Sequence, residues 1–220
     1  MKKVALILSG CGVYDGAEIQ EACAALLALH RAGAEVTACA PSGDQMHVIN
    51  HLAGEPAAGE SRNILMESAR IVRGEIKPLA DLDPVDFDCV VLPGGFGAAK
   101  NLCNFATEGD RCTVHPEVES FLREANNVGK PIGAMCIAPV ILARVFGADL
   151  HPDLTIGTDP ATAGMVENMG ANHVDCEAAE TVVDEANLMV TTPAYMLAGD
   201  IGTVFAGAAG FVEKLLRLCR

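Results

Sequence analysis

Short apolar runs alternate with longer amphipathic segments along the chain. Apolar runs without strict alternation are typical of parallel strands that are covered on both faces. On this basis we predict strands at residues 4–8, 35–40, 88–92, 131–135, near 154–156, near 182 and at 188–191. Helical spacing predicts helices from an amino-terminal cap at Asp15 to Gly33, from Ser61 to Gly74, at 116–128, 137–146 and 160–169, and from about residue 197.

Strands and helices therefore alternate along the whole chain. This order predicts a single domain over residues 1–220, an α/β fold with a three-layer α/β/α sandwich around a mostly parallel sheet. Ligands of such sheets bind beyond the carboxyl ends of the strands, where the strand order reverses. Three loops directly follow predicted strands, at residues 9–12, 93–97 and 135–137. We expect these loops to meet in one pocket.

Cys136 lies in the third loop, where a strand passes directly into a predicted helix. A cysteine at a helix amino terminus faces free N–H groups and the positive end of the helix dipole, which lower its pKa. The sharp turn is typical of a nucleophile elbow, and the small residues Gly133 and Ala134 would help it to pack. We therefore predict that Cys136 is a nucleophile with a depressed pKa. The alternative is an inert buried thiol. Cys11 stays a second candidate, because its loop lies at the same sheet edge.

Backbone N–H groups near Cys136 are candidates for an oxyanion hole. Gly94 and Gly95 follow a buried strand and carry no Cβ, so their amides can approach an oxygen atom closely. The amide of Ile137 can share this role. A plain tight turn would also select a Pro-Gly-Gly sequence, and this alternative remains open.

Two glutamates of the first predicted helix, Glu18 and Glu21, are three residues apart and share one face. Glu18 has a structural role as the capping partner of Asp15, whereas Glu21 lies beyond the free amides of the first turn. We therefore predict that Glu21 transfers protons. A solvated surface carboxylate is the alternative for both. Among the six histidines, His173 is the best candidate for the pocket, because it leads into the late strands.

The composition of the chain disfavours several classes of function. Fifteen Lys and Arg stand against 29 Asp and Glu, and the formal net charge of −14 disfavours binding to nucleic acid or to an anionic membrane. Nine cysteines without a C-x-x-C pair predict free thiols in a reducing compartment, with neither disulfides nor a metal site. No signal segment or membrane-spanning run is evident, so we expect a cytoplasmic protein. Neither Gly-x-Gly motif completes a nucleotide-binding fingerprint.

Several motifs resemble a known superfamily. Pro93-Gly94-Gly95 and the elbow at residues 134–139, with its A-x-C-x-x-P pattern, resemble the PfpI-type, class I glutamine-amidotransferase-like superfamily. Further blocks are similar to a glyoxalase group of that superfamily that is linked to lycopene biosynthesis; they lie at residues 9–16, 50–52, 69–76, 94–102, 155–159 and 191–196. The resemblance implies a flavodoxin-like fold, a reactive Cys136, Glu21 as the acid partner, His173 in the pocket, and a homo-oligomer, commonly a homodimer.

Departures from the superfamily pattern narrow the implied activity. Ile137 stands where PfpI-type proteases carry a histidine, and residues 193–195 lack the His-x-Glu pair of glutaminases. The resemblance therefore implies a glutathione-independent glyoxalase, a lyase that converts glyoxal or a similar small aldehyde to a hydroxy acid without any cofactor. The alternative is a non-catalytic or redox-sensing accessory protein of isoprenoid biosynthesis.

The long segment at residues 41–80 has two interpretations. The favoured one is a solvated surface helix, in which Glu67 pairs with Arg70. In the other, the segment walls the pocket, and Asn50, His51, Arg70 and Arg73 would make it small and polar, so that it accepts two- or three-carbon oxoaldehydes.

Overall fold

The computed structural model describes residues 1–219 and is built around a seven-stranded sheet. The strands are β1 (Lys3–Ile7), β2 (Glu35–Ala40), β3 (Ile49–Asn50), β4 (Glu55–Pro56), β5 (Ile76–Pro78), β6 (Cys89–Leu92), β7 (Ile132–Met135), β8 (Asp153–Leu154), β9 (Asn172–His173), β10 (Val182–Asp184) and β11 (Met189–Thr192). The helices are α1 (Ile19–Arg31), α2 (Ile64–Ser68), α3 (Phe96–Lys100), α4 (Phe105–Glu108), α5 (Pro116–Asn127), α6 (Pro139–Leu150), α7 (Pro160–Asn168) and α8 (Ile201–Leu218).

The strand order of the sheet is β10-β11-β7-β6-β1-β2-β5. Only the edge pair of β10 and β11 is antiparallel, and the other neighbours are parallel. The chain proceeds outward from β1 through β2 to β5 and then returns to β6 on the other side of β1. The strand order therefore reverses between β1 and β6, which is where ligands bind in sheets of this type.

Helices cover both faces of the sheet, as the apolar strand sequences predict. Successive residues of β6 point to opposite faces: Val90 and Leu92 pack in a core with α5 and α6, whereas Val91 packs in a second core with α1 and α8. Strands without polar alternation are therefore buried on both sides. The predicted three-layer α/β sandwich with a mostly parallel sheet is confirmed.

Several boundaries differ from the predictions. Helix α1 is capped by Glu18 rather than Asp15, because the Asp15 carboxylate accepts the N–H of Ile49 at 2.7 Å instead. The predicted helix from Ser61 to Gly74 is reduced to the single turn of α2, which Asn63 caps. Cys23 is exposed on α1.

Some elements were not predicted at all, and others begin later than expected. The short helices α3 and α4, the edge strand β5 and the two strands of the β3–β4 hairpin carry no clear periodic signal, because each helix or strand contains five residues or fewer. Helix α6 begins at Pro139 rather than Ile137, and α8 begins at Ile201 rather than near residue 197. Proline suits the first helical position, where its missing N–H has no partner to lose.

Gly133 in β7 lies against α8, not against the elbow. A Cβ at this position would lie 2.4 Å from Cζ of Phe211 and 3.0 Å from Cδ2 of Leu215, two fully buried side chains. We expect Gly133→Ala to lower the free energy of unfolding by about 1–3 kcal/mol through overpacking, as measured by urea denaturation. Gly164→Ala in α7 is the matched control, because no atom lies within 4 Å of its added Cβ. Equal stability of the Gly133→Ala protein and the wild type would contradict this packing.

Candidate active site

Cys136 directly follows β7 and adopts a φ of 60°. This left-handed conformation is uncommon for any residue other than glycine, and it persists only where the surrounding structure enforces it. The N–H of Cys136 donates to the carbonyl of Thr192 at 2.9 Å, which fixes the turn beside the end of β11. A strained turn at the carboxyl end of a strand is the geometry of a nucleophile elbow. The predicted elbow at Cys136 is confirmed.

Glu21 of α1 is fully buried beside the thiol. The Cys136 thiol donates a hydrogen bond to the Glu21 carboxylate. The two carboxylate oxygens also accept backbone N–H groups, Oε2 from Gly94 at 3.0 Å and Oε1 from Tyr195 at 3.1 Å. Burial raises the pKa of Glu21 to about 7, and the hydrogen bonds only partly oppose it. The carboxyl group can therefore exchange a proton near neutral pH.

The pKa of the Cys136 thiol is raised well above its ordinary value, first by burial and then by the charge of Glu21. The N–H groups of Gly95 and Ile137 donate to Sγ and act in the opposite direction. The predicted depressed pKa is therefore wrong. Helix α6 begins only at Pro139, and burial beside a carboxylate outweighs the two amides.

Two glycines allow the loop after β6 to pack closely against Cys136 and Glu21. A Cβ on Gly94 would lie 2.4 Å from Cβ of Cys136 and 2.7 Å from Oε2 of Glu21, so only glycine fits. Gly95 has a φ of 93°, and a Cβ there would lie 2.3 Å from the backbone nitrogen of Glu18. Since Glu21 occupies the N–H of Gly94, the amides that face Sγ are those of Gly95 and Ile137.

A cavity of about 370 Å³ opens beside Cys136. Most of the side chains that line it are apolar, and three polar residues accompany them. The lining residues are Val13, Glu18, Gly95, Phe96, Ala99, Phe105, Ala106, Cys136, Ile137, Thr162, Tyr195 and Met196. Gly95, Phe96, Cys136 and Ile137 lie in loops that were expected at the pocket, and Glu18 was expected nearby. Periodicity does not single out the other lining residues, because α4, α7 and the turn at 194–196 meet only in the folded chain.

The segment at residues 41–80 does not line this cavity. His51 instead approaches Asp15, with 3.8 Å between Nε2 and Oδ1, and Arg70 pairs with Glu67 at 2.8 Å. The favoured interpretation of Arg70 as a surface residue is therefore correct. The other interpretation, a small and polar pocket, is wrong, because the walls of the cavity come from apolar residues elsewhere in the chain.

Glu18 has two roles in the structure. Its carboxylate accepts the N–H of Glu21 at 2.6 Å, which caps α1, and the residue also lines the cavity. Burial raises its pKa above the ordinary value. The predicted role of Glu18 as the capping partner of Asp15 is wrong: Glu18 is itself the amino-terminal cap, because the helix begins about one turn later than expected.

Cys11 and His173 do not line the cavity beside Cys136. Cys11 is half-buried in the loop after β1, and burial raises the pKa of its thiol. His173 lies in β9, where Nε2 accepts the N–H of Ile156 at 3.3 Å and Nδ1 lies 3.7 Å from Oδ1 of Asp175. The structure therefore brings Cys136, Glu21, Gly95 and Ile137 together without these two residues.

The model of the DJ-1/PfpI family matches residues 2–198. The chain belongs to this family. Within residues 1–219 of this DJ-1/PfpI protein, no group of three or more His, Cys, Asp or Glu residues is placed to hold a metal ion. In the same range, no helix has both the length and the apolar character needed to cross a membrane.

Relatives of this DJ-1/PfpI protein carry mitochondrial names. The human "Glutamine amidotransferase-like class 1 domain-containing protein 3, mitochondrial" is 49% identical over 222 residues, which cover 98% of this chain and 83% of the relative. The rat "ES1 protein homolog, mitochondrial" is also 49% identical, over 98% of this chain and 84% of the relative. The expected cytoplasmic location is therefore wrong, because the names of these relatives place them in mitochondria.

Solved structures of other family members share the fold. An "isoprenoid biosynthesis protein with amidotransferase-like domain" from Ehrlichia chaffeensis is 35% identical, with a TM-score of 0.91 over 98% of this chain and 99% of that one. Glyoxalase III from Candida albicans is 16% identical, with a TM-score of 0.64 over 100% and 98% of the two chains. The second likeness concerns the fold alone.

Proposed function

We propose that this protein is an ElbB-type glyoxalase, of the group also called enhancing lycopene biosynthesis protein or sigma cross-reacting protein. It converts glyoxal, or another 2-oxoaldehyde, to a 2-hydroxy acid without glutathione. One observation carries the proposal: the Cys136 thiol is hydrogen-bonded to a carboxyl group with a pKa of about 7, and two backbone amides face the same sulfur. These are the groups that covalent addition to a carbonyl requires.

The first step is addition of the thiol to the aldehyde. Glu21 accepts the thiol proton while Sγ bonds to the aldehyde carbon, so a free thiolate need not accumulate despite the raised pKa of Cys136. The carbonyl oxygen becomes an alkoxide, which the N–H groups of Gly95 and Ile137 stabilise. This oxygen then takes the proton from Glu21, and a hemithioacetal results.

The second step moves a proton from one carbon to the next. The Glu21 carboxylate removes the hydrogen of the hemithioacetal carbon, the electron pair forms a C=C bond, and the neighbouring carbonyl oxygen becomes an enediolate. This oxygen takes the proton of the hemithioacetal hydroxyl group. Glu21 returns the proton to that neighbouring carbon, which gives a thioester. Water then cleaves the thioester, releasing the hydroxy acid and the Cys136 thiol. One carbon is oxidised and the other reduced, so no external oxidant is needed.

The alternative of a redox sensor has less support. Thiols that react with peroxide are accessible and have low pKa values, whereas Cys136 is 8% exposed and its pKa is raised. A link to isoprenoid biosynthesis is a separate proposal, supported by the name of the Ehrlichia protein.

Glyoxal turnover tests the function directly. We expect the purified protein to convert glyoxal to glycolate over many turnovers without glutathione, as followed by NMR. In D₂O, the glycolate should carry deuterium at its second carbon, because Glu21 exchanges its proton with solvent. Glycolate formation no faster than in protein-free buffer, or peptidase turnover instead, would contradict the proposal.

A further inference from the structure

We propose that the preferred substrates are 2-oxoaldehydes with an uncharged, apolar substituent of several carbons, rather than glyoxal itself. This inference rests on the proposed function and names the substrate class of the same site. It stands on the size, the lining and the charge of the cavity beside Cys136.

The cavity is large for a two-carbon substrate. At about 30 Å³ per non-hydrogen atom, the value for liquid water, the four heavy atoms of glyoxal would take roughly 120 Å³. The cavity measures about 370 Å³, which falls in the range of sites for considerably larger ligands. Most of the space would therefore remain unused by glyoxal.

The walls of that space are apolar. Phe96, Phe105 and Met196 line it together with Val13 and Ala106. Phe96 is 49% exposed, although exposing a large aromatic ring to water is unfavourable. A ligand with an apolar group would cover this ring and gain the free energy of burial.

The charges beside the cavity disfavour an anionic substituent. Its lining residues include the acidic Glu18 and no lysine or arginine, and the buried Glu21 lies behind Cys136. Lys100 lies near the cavity, but its ammonium group already has partners. Its Nζ donates to the Tyr14 carbonyl at 2.8 Å and lies 5.2 Å from the centre of the Phe96 ring. A carboxylate or phosphate on the substrate would therefore meet like charge without a cation among the lining residues.

The chemistry is compatible with a substituent on the second carbon. Sγ adds to the aldehyde carbon, and the adjacent ketone carbon receives the proton from Glu21. The substituent does not take part in either bond change, so the balance of atoms and electrons is that of glyoxal. The product is a 2-hydroxy acid that carries the same substituent.

Three substrates whose substituents differ in length and charge test this inference: methylglyoxal, butylglyoxal and carboxyethylglyoxal. The carboxyethyl chain is similar in length to the butyl chain but carries a negative charge. Buried methylenes raise the specificity of an apolar pocket several-fold each. We expect kcat/KM for butylglyoxal to be at least about tenfold higher than for methylglyoxal. We expect carboxyethylglyoxal to be at least about tenfold poorer than butylglyoxal.

Variants of the cavity wall show whether the preference arises there. Phe96→Ala should remove most of the preference for butylglyoxal over methylglyoxal. Ala106→Leu, at an exposed position that lines the cavity, should have the same effect by filling it. Phe205→Ala is the matched control, because Phe205 lines a groove between α1 and α8 instead.

The outcomes separate the two proposals. Absence of turnover for every aldehyde would overturn the proposed function and the inference with it. Turnover of glyoxal and methylglyoxal without a gain for butylglyoxal would overturn the inference alone. A gain that Phe96→Ala and Ala106→Leu leave unchanged, or that Phe205→Ala removes equally, would overturn the assignment to this cavity.

Discussion

Replacing Cys136 with serine is expected to lower kcat for glyoxal by at least about a thousandfold. The serine hydroxyl is a far weaker nucleophile than a thiol, and a Glu21 carboxylate with a pKa of about 7 cannot take its proton effectively. The measurement is steady-state formation of glycolate. The melting temperature should change little, since the two side chains are similar in size.

Cys11→Ser is the matched control for this substitution. Cys11 lies in the loop after β1, at the same edge of the sheet, but it does not line the cavity beside Cys136. We expect its kcat to stay within about twofold of the wild-type value. Loss of activity in Cys11→Ser with retention in Cys136→Ser would reassign the nucleophile.

Glu21→Gln is expected to lower kcat/KM by about 10² to 10⁴, the usual contribution of a positioned general base. The amide can neither accept the thiol proton nor return a proton to carbon. Its NH₂ group would also oppose one of the two backbone N–H donors, from Gly94 or Tyr195, that now face carboxylate oxygens. Activity and the melting temperature should therefore be measured on the same preparation.

The pH profile identifies the role of Glu21 independently of the loss in rate. A carboxyl group with a pKa of about 7 is protonated below that value and cannot act as a base, so wild-type kcat/KM should fall as the pH drops below about 7. Glu18→Gln should keep this profile and most of the activity, with about 1 kcal/mol of stability lost through the weaker cap of α1. An inactive Glu18→Gln protein beside an active Glu21→Gln protein would reverse the assignment.

The regular part of the fold could be predicted because its signal is local. The strands at 35–40 and 131–135 and the helix at 116–128 were predicted within about one residue of β2, β7 and α5. The capping residue of α1 was not predicted correctly, because the Asp15 carboxylate accepts the N–H of Ile49, which is 34 residues away in sequence. Propensity cannot reveal that a capping residue is already engaged by a distant part of the chain.

In the candidate site, too, the features with a local sequence signal could be predicted, and the features that depend on distant contacts could not. Cys136, Gly95 and Ile137 lie in loops that follow apolar strands, and the fold brings such loops together at one edge. The direction of the Cys136 pKa could not be predicted, because it depends on burial and on a carboxylate of another element. The cavity wall likewise arises from short helices whose positions no periodic pattern specifies.

The hydrogen bonds of Glu21 also bear on how the protein is synthesised. One carboxylate oxygen binds an amide 73 residues along the chain, and the other binds an amide 174 residues along it. Both partners are present together only after residue 195 has left the ribosome. We therefore expect a chain that ends before Tyr195 to lack the proposed activity, because the Glu21 carboxylate would lose one of the two amides that hold it.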